Sequence, residues 1–192
     1  MSIVLVGSTS GSITLQEPAV AGTTVLDLPA TSGTILTTGS SGQSIPKAAL
    51  PTGSVLQVVQ AVYSGTNIGT SSATPVTTGF SASITPTSAS SKILVIANPS
   101  WSVNSAGAQN GTALMYIYRG GSSIYHSYCR TYNYNNSSGL YQNNAQSLVF
   151  LDSPSTTSST AYTLFFSLQN GNETTFQSDG GNSSITLMEI AA

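Results

Sequence analysis

From residue 54 onward, the apolar positions of the chain follow two patterns, and both are typical of β-strands. In the first pattern the residues alternate between two faces, as in residues 113–119, where Leu114, Tyr116 and Tyr118 fall on one face and Met115 and Ile117 on the other. In the second pattern a short run is wholly apolar and rich in β-branched residues, as in residues 93–97. Alternation predicts a strand with one buried face, and we expect the run at 93–97 to be buried on both faces.

Residues 80–97 show a strand, a turn and a second strand, and the rest of the sequence is organised around this stretch. Pro86 cannot donate a hydrogen bond to a sheet and therefore ends the first strand. Residues 88–91, with the sequence SASS, predict a turn because small hydroxyl side chains bond their own backbone there. Lys92 then opens the second strand.

The same patterns predict eight to ten strands in residues 53–192. Gly120 and Gly121 are the residues that a two-residue hairpin turn favours, and we place Trp101 near the base of a loop at residues 104–111. Short connections make neighbouring strands antiparallel, so we predict a jelly-roll-like β-sandwich whose last strand ties the C-terminus into a sheet. The other predicted strands are residues 55–63, 76–80, 124–130, 147–152 (with the apolar core 148–151), 161–168 and 185–190.

Residues 1–52 differ, with short apolar bursts among Gly, Thr and Ala and with Gly11, Gly22 and Gly33 evenly spaced. This spacing is that of a weak repeat of short strands. A single chain would leave the strand edges open. Three chains wound around one axis would bury the apolar residues, and the alternative is a tether that orders on a partner. Both interpretations predict that this part of the chain is an attachment or trimerisation segment ending at about residue 52. The candidate residues for trimer or attachment contacts are Ile13, Leu15, Leu26, Leu28, Ile35 and Leu36.

Charged residues make up only 5% of the chain, against about 25% in ordinary globular domains. A surface with so few charges produces a weak electrostatic field, which argues against nucleic acid or an anionic membrane as the partner. It also lowers the entropy lost when long charged side chains are ordered, which favours close packing of identical chains. The nine tyrosines and five phenylalanines argue against intrinsic disorder.

The cysteine content and the N-terminus bear on the compartment. Cys129 is the single cysteine, so no internal disulfide framework is possible, and we expect it to pack as a small apolar side chain. The first residues have no basic region, and their apolar run is too short for a signal peptide. No run reaches the length of a membrane span. We therefore expect a chain that folds in a cytoplasm and does not insert into a membrane.

The sequence shows no catalytic, cofactor-binding or metal-binding constellation. The single histidine, His126, falls in a predicted strand, where a surface or core role is commoner than catalysis. Glu173 and Asp179 are the one carboxylate pair that glycoside cleavage could use, and each is predicted to lie in a hairpin loop. No His/Cys cluster or calcium loop is present. We therefore expect a structural or binding protein with no cofactor.

Tyrosines and asparagines are concentrated in residues 125–144. Tyrosine with small amides is typical of adaptable recognition loops, and aromatic faces with amide donors also suit sugar rings. The alternative is that some of these tyrosines fill the core or a subunit interface. A separate expectation is a structural ion pair between Arg119 and Asp152. The candidate host or glycan contacts are Tyr125, Tyr128, Tyr132, Tyr134, Asn135, Asn136 and Tyr141.

Three stretches carry a resemblance to a known class of proteins. The first is GSITLQEPAVAGTTVLDLPATSGTILTTG at residues 11–39, and the second is GSVLQVVQA at 53–61 together with SASITPTSASSKILV at 81–95. The third comprises YRGG at 118–121, LDSP at 151–154 and the ending LMEIAA. The chain thereby resembles the small tail-fibre and virion-decoration proteins of tailed bacteriophages, especially those of marine phages.

The resemblance implies a homotrimer on the virion, on the tail or the capsid surface, synthesised in the host cytoplasm. Residues 1–52 would grip other virion proteins of the tail, baseplate or capsid. The sandwich would face outward as an interaction module for the host surface and its glycans. The alternatives are a capsid decoration or cement protein and, from another class, a glycan depolymerase. The short chain and the lack of a carboxylate pair on an extended scaffold argue against a depolymerase.

Overall fold

The computed structural model describes residues 2–6, 12–16, 50–105, 110–132, 140–144 and 146–192. The chain separates into two units, residues 1–44 and 45–192. In the first unit β1 (Ser2–Val6) pairs antiparallel with β2 (Ser12–Gln16), with Ile3 opposite Leu15 and Leu5 opposite Ile13. Of the predicted attachment contacts, Ile13 and Leu15 lie in β2. Leu26, Leu28, Ile35 and Leu36 lie outside the described residues, and the boundary at about residue 52 and the trimer stay predictions.

The second unit is built from antiparallel strands. Its described part contains one turn of 3-10 helix, Ser178–Gly180, and no helix there is long and apolar enough to cross a membrane. The strands are β3 (Val55–Tyr63), β4 (Ile68–Thr70), β5 (Val76–Ile84), β6 (Lys92–Asn98), β7 (Trp101–Ser105), β8 (Gly111–Arg119), β9 (Ser122–Thr131), β10 (Leu140–Asn144), β11 (Leu148–Asp152), β12 (Thr160–Asn170), β13 (Glu173–Phe176) and β14 (Ser183–Ile190).

Three four-stranded sheets form, and two of them are parts of one longer layer. Their orders are β11-β6-β14-β3 and β10-β7-β13-β4, and the third sheet is β5-β12-β8-β9. Each strand of the second sheet adjoins its counterpart in the first along the chain, across a short break such as Pro99-Ser100 between β6 and β7. The strands separated by such a break are β3 and β4, β6 and β7, β10 and β11, and β13 and β14. If each of these pairs counts as one strand, the unit has eight strands. Numbered in chain order, these eight strands form two layers with the strand orders 1-8-3-6 and 2-7-4-5. This wrapping is that of a jelly roll, which confirms the predicted all-β sandwich.

The inner faces of the two layers meet in one hydrophobic core. Val95 and Leu187 from one layer and Ile117 and Phe166 from the other are almost completely buried. Each such side chain contributes about 1.5–3 kcal/mol when it leaves water. All the described members of the core lie between residues 59 and 187. They therefore all come from the second unit.

Several predicted local features are confirmed. Gly120 and Gly121 form the turn between β8 and β9 with φ values of +56° and +83°, a left-handed backbone that glycine adopts without strain. The turn at residues 88–91 is closed by the amide of Ser91, which donates to the Ser88 carbonyl at 3.2 Å. The C-terminal strand β14 lies between β3 and β6, and so the C-terminus is tied into the sheet.

Other expectations about the strands are wrong or incomplete. The run at 93–97 is not buried on both faces, because Leu94 and Ile96 face outward and are only half-buried. In the apolar core 148–151, Val149 and Leu151 are about half exposed. Trp101 begins a strand and is fully buried; it does not stand at the base of a loop. The short strands β4, β7, β10 and β13 were not predicted, and β13 includes Glu173, which we had placed in a loop.

Candidate functional site

The outer side of the β5-β12-β8-β9 sheet carries a continuous group of aromatic side chains. On β8 the buried Met115 and Ile117 point into the core. Tyr116, which lies between them, and Tyr118, which follows Ile117, therefore point outward. The same alternation turns His126, Tyr128 and Arg130 outward on β9 and Phe165 outward on β12. We call Tyr116, Tyr118, His126, Tyr128, Arg130 and Phe165 the aromatic face.

Strand register brings the members of the aromatic face together. Tyr116 lies directly opposite His126 on β9 and opposite Phe165 on β12. The rings of Tyr118 and Phe165 stack with centroids 4.0 Å apart, and the rings of Tyr116 and His126 are 5.5 Å apart. His126 meets Tyr128 edge-on at 5.6 Å. Such pairs each contribute about 0.5–1.5 kcal/mol beyond their buried area, which holds the face rigid.

Polar groups border the aromatic face. The hydroxyl groups of Tyr116 and Ser167 share a hydrogen bond of 3.1 Å. The guanidinium carbon of Arg130 lies 5.4 Å from the centre of the Tyr128 ring, within the range of a cation–π interaction. Tyr128 itself is 50% exposed. The face thus offers ring surfaces, hydroxyl groups and one cation to a ligand that lies flat on the sheet.

The tyrosines predicted as contacts occupy three different places. Tyr128 belongs to the aromatic face, whereas Tyr125 packs against the core and stacks on Phe150 with centroids 5.4 Å apart. Tyr132 follows β9 and is exposed. Tyr141 is exposed on β10, in another sheet, where its hydroxyl oxygen accepts a hydrogen bond from Ser102 at 3.0 Å. Tyr134, Asn135 and Asn136 lie outside the described residues.

Sequence reasoning missed most of the aromatic face. The alternation at residues 113–119 predicts that Tyr116 and Tyr118 share a strand face but not that they are contacts, and a lone histidine in a strand predicts only a surface or core role for His126. The signal that could have found them is the spacing of aromatic residues on both sides of the Gly120-Gly121 turn. Aromatic or charged residues at every second position on both hairpin strands predict one shared face.

The predicted ion pair between Arg119 and Asp152 is confirmed. Nη1 of Arg119 lies 2.6 Å from Oδ2 of Asp152, and the same oxygen accepts a hydrogen bond from the Tyr162 hydroxyl at 2.7 Å. Burial, together with the hydrogen bond to Asp152, raises the pKa of Tyr162 far above its usual range. The Tyr162 hydroxyl therefore remains a donor at every ordinary pH. This cluster joins β8, β11 and β12.

Glu189 is a second buried carboxylate, fully enclosed near the C-terminal end of β14. Burial alone would raise the pKa of its carboxyl, but hydrogen bonds from Thr87, Ser91 and Gln57 outweigh burial and hold the pKa below the ordinary value. The Thr87 amide and hydroxyl donate at 2.6 and 2.7 Å, and Nε2 of Gln57 donates at 2.6 Å. These donors make Glu189 an acceptor that ties the 85–91 connection to the sheet.

A cavity with a volume of about 410 Å³ is lined in part by Thr87 and Ser91, which also bond to Glu189. Its lining comes from aliphatic and small hydroxyl residues such as Leu56, Thr87, Ser91 and Ala192. Among the described residues, no group of three or more His, Cys, Asp or Glu side chains could hold a metal ion. The side chain of Asp179 is outside the described part of the structure, so its predicted pairing with Glu173 stays a prediction.

Comparisons with known proteins assign no family. No family model and no curated protein matches the chain. Solved structures with partial similarity include the infectious bursal disease virus VP2 subviral particle, with a TM-score of 0.35 and 13% identity over 70% of this chain and 33% of that chain. The D431N mutant VP2 protein of the same virus gives a TM-score of 0.34 and 12% identity over 80% and 41%. The chain thus spans well under half the length of these proteins, and TM-scores of this size carry no argument about function.

Proposed function

We propose that this chain is a non-enzymatic structural protein of a tailed-bacteriophage virion. It forms a homotrimer of the tail-fibre type, docks on the particle through residues 1–52 and presents the sandwich to the host surface. The observation that carries the host-contact role is the aromatic face on the outer side of the β5-β12-β8-β9 sheet. The charge-poor composition and the resemblance of three sequence stretches to phage virion proteins support the virion location.

A surface glycan is the ligand class that best fits the aromatic face. Sugar rings present C–H groups that pack on aromatic rings and hydroxyl groups that bond to Tyr116 and Arg130. The rings already contact each other in the free protein, so little side-chain entropy is lost on binding. A shallow face gives weak binding per chain, and three copies on one particle raise the overall avidity.

Binding assays with variants test the host-contact role. The full-length protein is applied to a panel of intact bacteria and isolated surface polysaccharides, together with Tyr128→Ala and His126→Ala. We expect retention of the wild type on at least one surface and about tenfold or greater weakening in both variants, since a hot-spot aromatic residue contributes 2 kcal/mol or more. Ser83→Ala, at an exposed position of β5 in the same sheet, is the neutral control.

Tyr141→Ala separates the aromatic face from the wider tyrosine-rich region of the sequence. Tyr141 is 51% exposed and Tyr128 is 50% exposed, but Tyr141 lies in a different sheet. Loss of binding in Tyr141→Ala with none in Tyr128→Ala would contradict the assignment of the aromatic face. Binding of the isolated protein to particle heads but to no bacterial surface would favour the capsid decoration alternative. Release of free sugar from a polysaccharide would favour the depolymerase.

A further inference from the structure

The outer side of the β11-β6-β14-β3 sheet presents an aliphatic surface that has no part in the proposed host contact. Strand register places Leu151, Leu94, Met188 and Val58 in one row that crosses all four strands. The next row contains Val149 and Ile96, and Val62 lies at one end of β3. We call these seven residues the aliphatic face. Val58, Val62, Val149 and Leu151 are each between 49% and 57% exposed.

Charge is almost absent from the aliphatic face. The four strands contain three charged residues, and two of them, Asp152 and Glu189, point inward and are buried. Lys92 is the third and lies at the end of β6, opposite Ile190. A partner with a charged surface would lose hydration here without gaining a compensating charge. A matching partner must itself be apolar and uncharged at the contact.

Two pairs of polar side chains beside the aliphatic face are bonded to each other within the chain. Nε2 of Gln60 donates to Oγ1 of Thr186 at 3.0 Å, across β3 and β14. The Ser147 hydroxyl donates to Oδ1 of Asn98 at 2.5 Å, at the other end of the sheet. Paired groups of this kind enter an interface at lower cost than unpaired ones. The surface is therefore suited to burial against another protein.

We propose that the aliphatic face is an interface between copies of this chain, with the aliphatic faces of the three copies of the proposed trimer meeting around its axis. A second copy supplies the required partner surface, since it presents identical uncharged aliphatic rows. Met188 lies within the row of four and has the flexible side chain that adapts to a facing surface. The inference rests on the proposed assembly of identical chains and specifies which surface of the sandwich they share.

The area of the aliphatic face limits the stability of the contact that it can form alone. Four strands about 4.8 Å apart, with outward side chains over roughly 20 Å of strand, give a face of about 400 Å². A standard interface buries about 800 Å² per partner, so this contact alone is about half of what a stable complex needs. Residues 1–52, which the proposed function joins in the same assembly, supply the rest and raise the effective concentration of the sandwiches.

The first test uses the full-length chain and compares the oligomer masses of Met188→Lys, Val149→Lys and the wild type by light scattering after size exclusion. We expect the two variants to dissociate at concentrations about 100-fold or more above those at which the wild type dissociates, because each places a lysine in an apolar contact. Ala161→Lys is the matched control, an apolar-to-lysine change at an exposed position of β12 in the other sheet. Circular dichroism verifies that all variants are folded.

The second test does not depend on destabilising the sheet. Cys129 is buried, so a cysteine introduced by Met188→Cys is the single accessible thiol among the described residues. Under mild oxidation we expect covalent dimers of Met188→Cys and none of Ala161→Cys. If the wild type is an oligomer, but the lysine variants keep its mass and Met188→Cys does not couple, the aliphatic face is not the interface and the proposed trimer stands. A monomeric wild type would overturn both.

Discussion

At the scale of single residues, the sandwich depends on two buried carboxylates with different partners. Asp152 is paired with the cationic Arg119 and the neutral Tyr162, whereas Glu189 accepts hydrogen bonds from the neutral donors Thr87, Ser91 and Gln57. Both lie near strand ends, where they join a strand to a connection or to another sheet. A buried carboxylate that loses its donors leaves an uncompensated charge, which is strongly destabilising. These residues are therefore sensitive points of the fold.

The pH dependence of stability should report Glu189. Its pKa is lowered from 4.5 in the folded chain, so its contribution is present above pH 4.5 and is lost as the pH falls below that value. In Glu189→Gln one carboxylate oxygen becomes an amide NH₂ group, which would face either the two Thr87 donors at Oε1 or the Gln57 donor at Oε2. We expect a loss of about 1–3 kcal/mol at pH 7, measured by urea unfolding. The difference from the wild type should shrink as the pH falls below 4.5.

Glu173→Gln is the control for Glu189→Gln, because Glu173 is an exposed glutamate at the start of β13. We expect its unfolding free energy to stay within about 0.5 kcal/mol of the wild type. Equal effects of the two substitutions, or a Glu189→Gln loss that does not change with pH, would show that the hydrogen bonds to Glu189 do not stabilise the fold.

Tyr162→Phe tests the second carboxylate. The substitution removes the hydroxyl that donates to Oδ2 of Asp152 at 2.7 Å and leaves Arg119 in place. We expect a loss of about 1–2 kcal/mol in the free energy of unfolding, since a buried charged acceptor loses one donor. Tyr128→Phe removes an exposed hydroxyl and should change stability little. Equal thermal midpoints for the two variants would contradict the structural role of the Asp152 cluster.

At the scale of elements, the β8–β9 hairpin positions the aromatic face, and its turn depends on two glycines. A Cβ atom at Gly120 or Gly121 would meet no atom within 4 Å, so a substitution there is costly only through the positive φ values. We expect Gly121→Val to lower stability by about 1–2 kcal/mol. Gly120→Asn should be better tolerated, because asparagine adopts the left-handed conformation more readily. Thermal unfolding of both variants checks this, and an equal cost for both would contradict it.

A strand can be predicted from the sequence when a local pattern of apolar residues stabilises it, but not when its stability comes from pairing with distant strands. The alternation of side chains between two faces predicts the strand Gly111–Arg119, and the length and apolar content of residues 55–63 predict the strand Val55–Tyr63. The strands Leu140–Asn144 and Glu173–Phe176 are short and largely polar. They are strands because they pair with Trp101–Ser105 in the sheet, a tertiary effect that no local pattern reveals.

The candidate site was less predictable than the fold for the same reason. The composition of residues 125–144 pointed to Tyr128, but the aromatic face also requires Phe165, which is distant in sequence. Tyr125 has the same composition context as Tyr128 and nevertheless packs against the core. An irregularity in the pairing of β8 and β9 between Ile117 and Tyr118 lies beside Tyr125, and the register after it is not readable from alternation alone.

At the scale of the whole molecule, the two outer sides of the sandwich differ in chemistry. One side carries the aliphatic face and the other the aromatic face, and the core lies between them. An assembly that packs the aliphatic faces together turns the aromatic faces outward, toward a ligand. The proposed interface and the proposed host contact are thus compatible in one assembly, and neither side needs to serve both purposes.

Deletion of residues 1–52 tests the division of labour between the segments. The described core residues lie within residues 59–187, so we expect the truncated chain to fold and to unfold cooperatively on heating. It should no longer join particles when supplied in place of the full chain, as judged by immunoblotting of purified virions. Incorporation at the wild-type level would contradict the attachment role of residues 1–52.

The measurement that tests the central claim most directly is the mass of the full-length protein in solution, by light scattering coupled to size exclusion. A homotrimeric virion protein predicts a mass of three times 19.6 kDa, persisting on dilution into the nanomolar range. A mass of one chain at every concentration would contradict the account, because neither residues 1–52 nor the aliphatic face would then join identical chains.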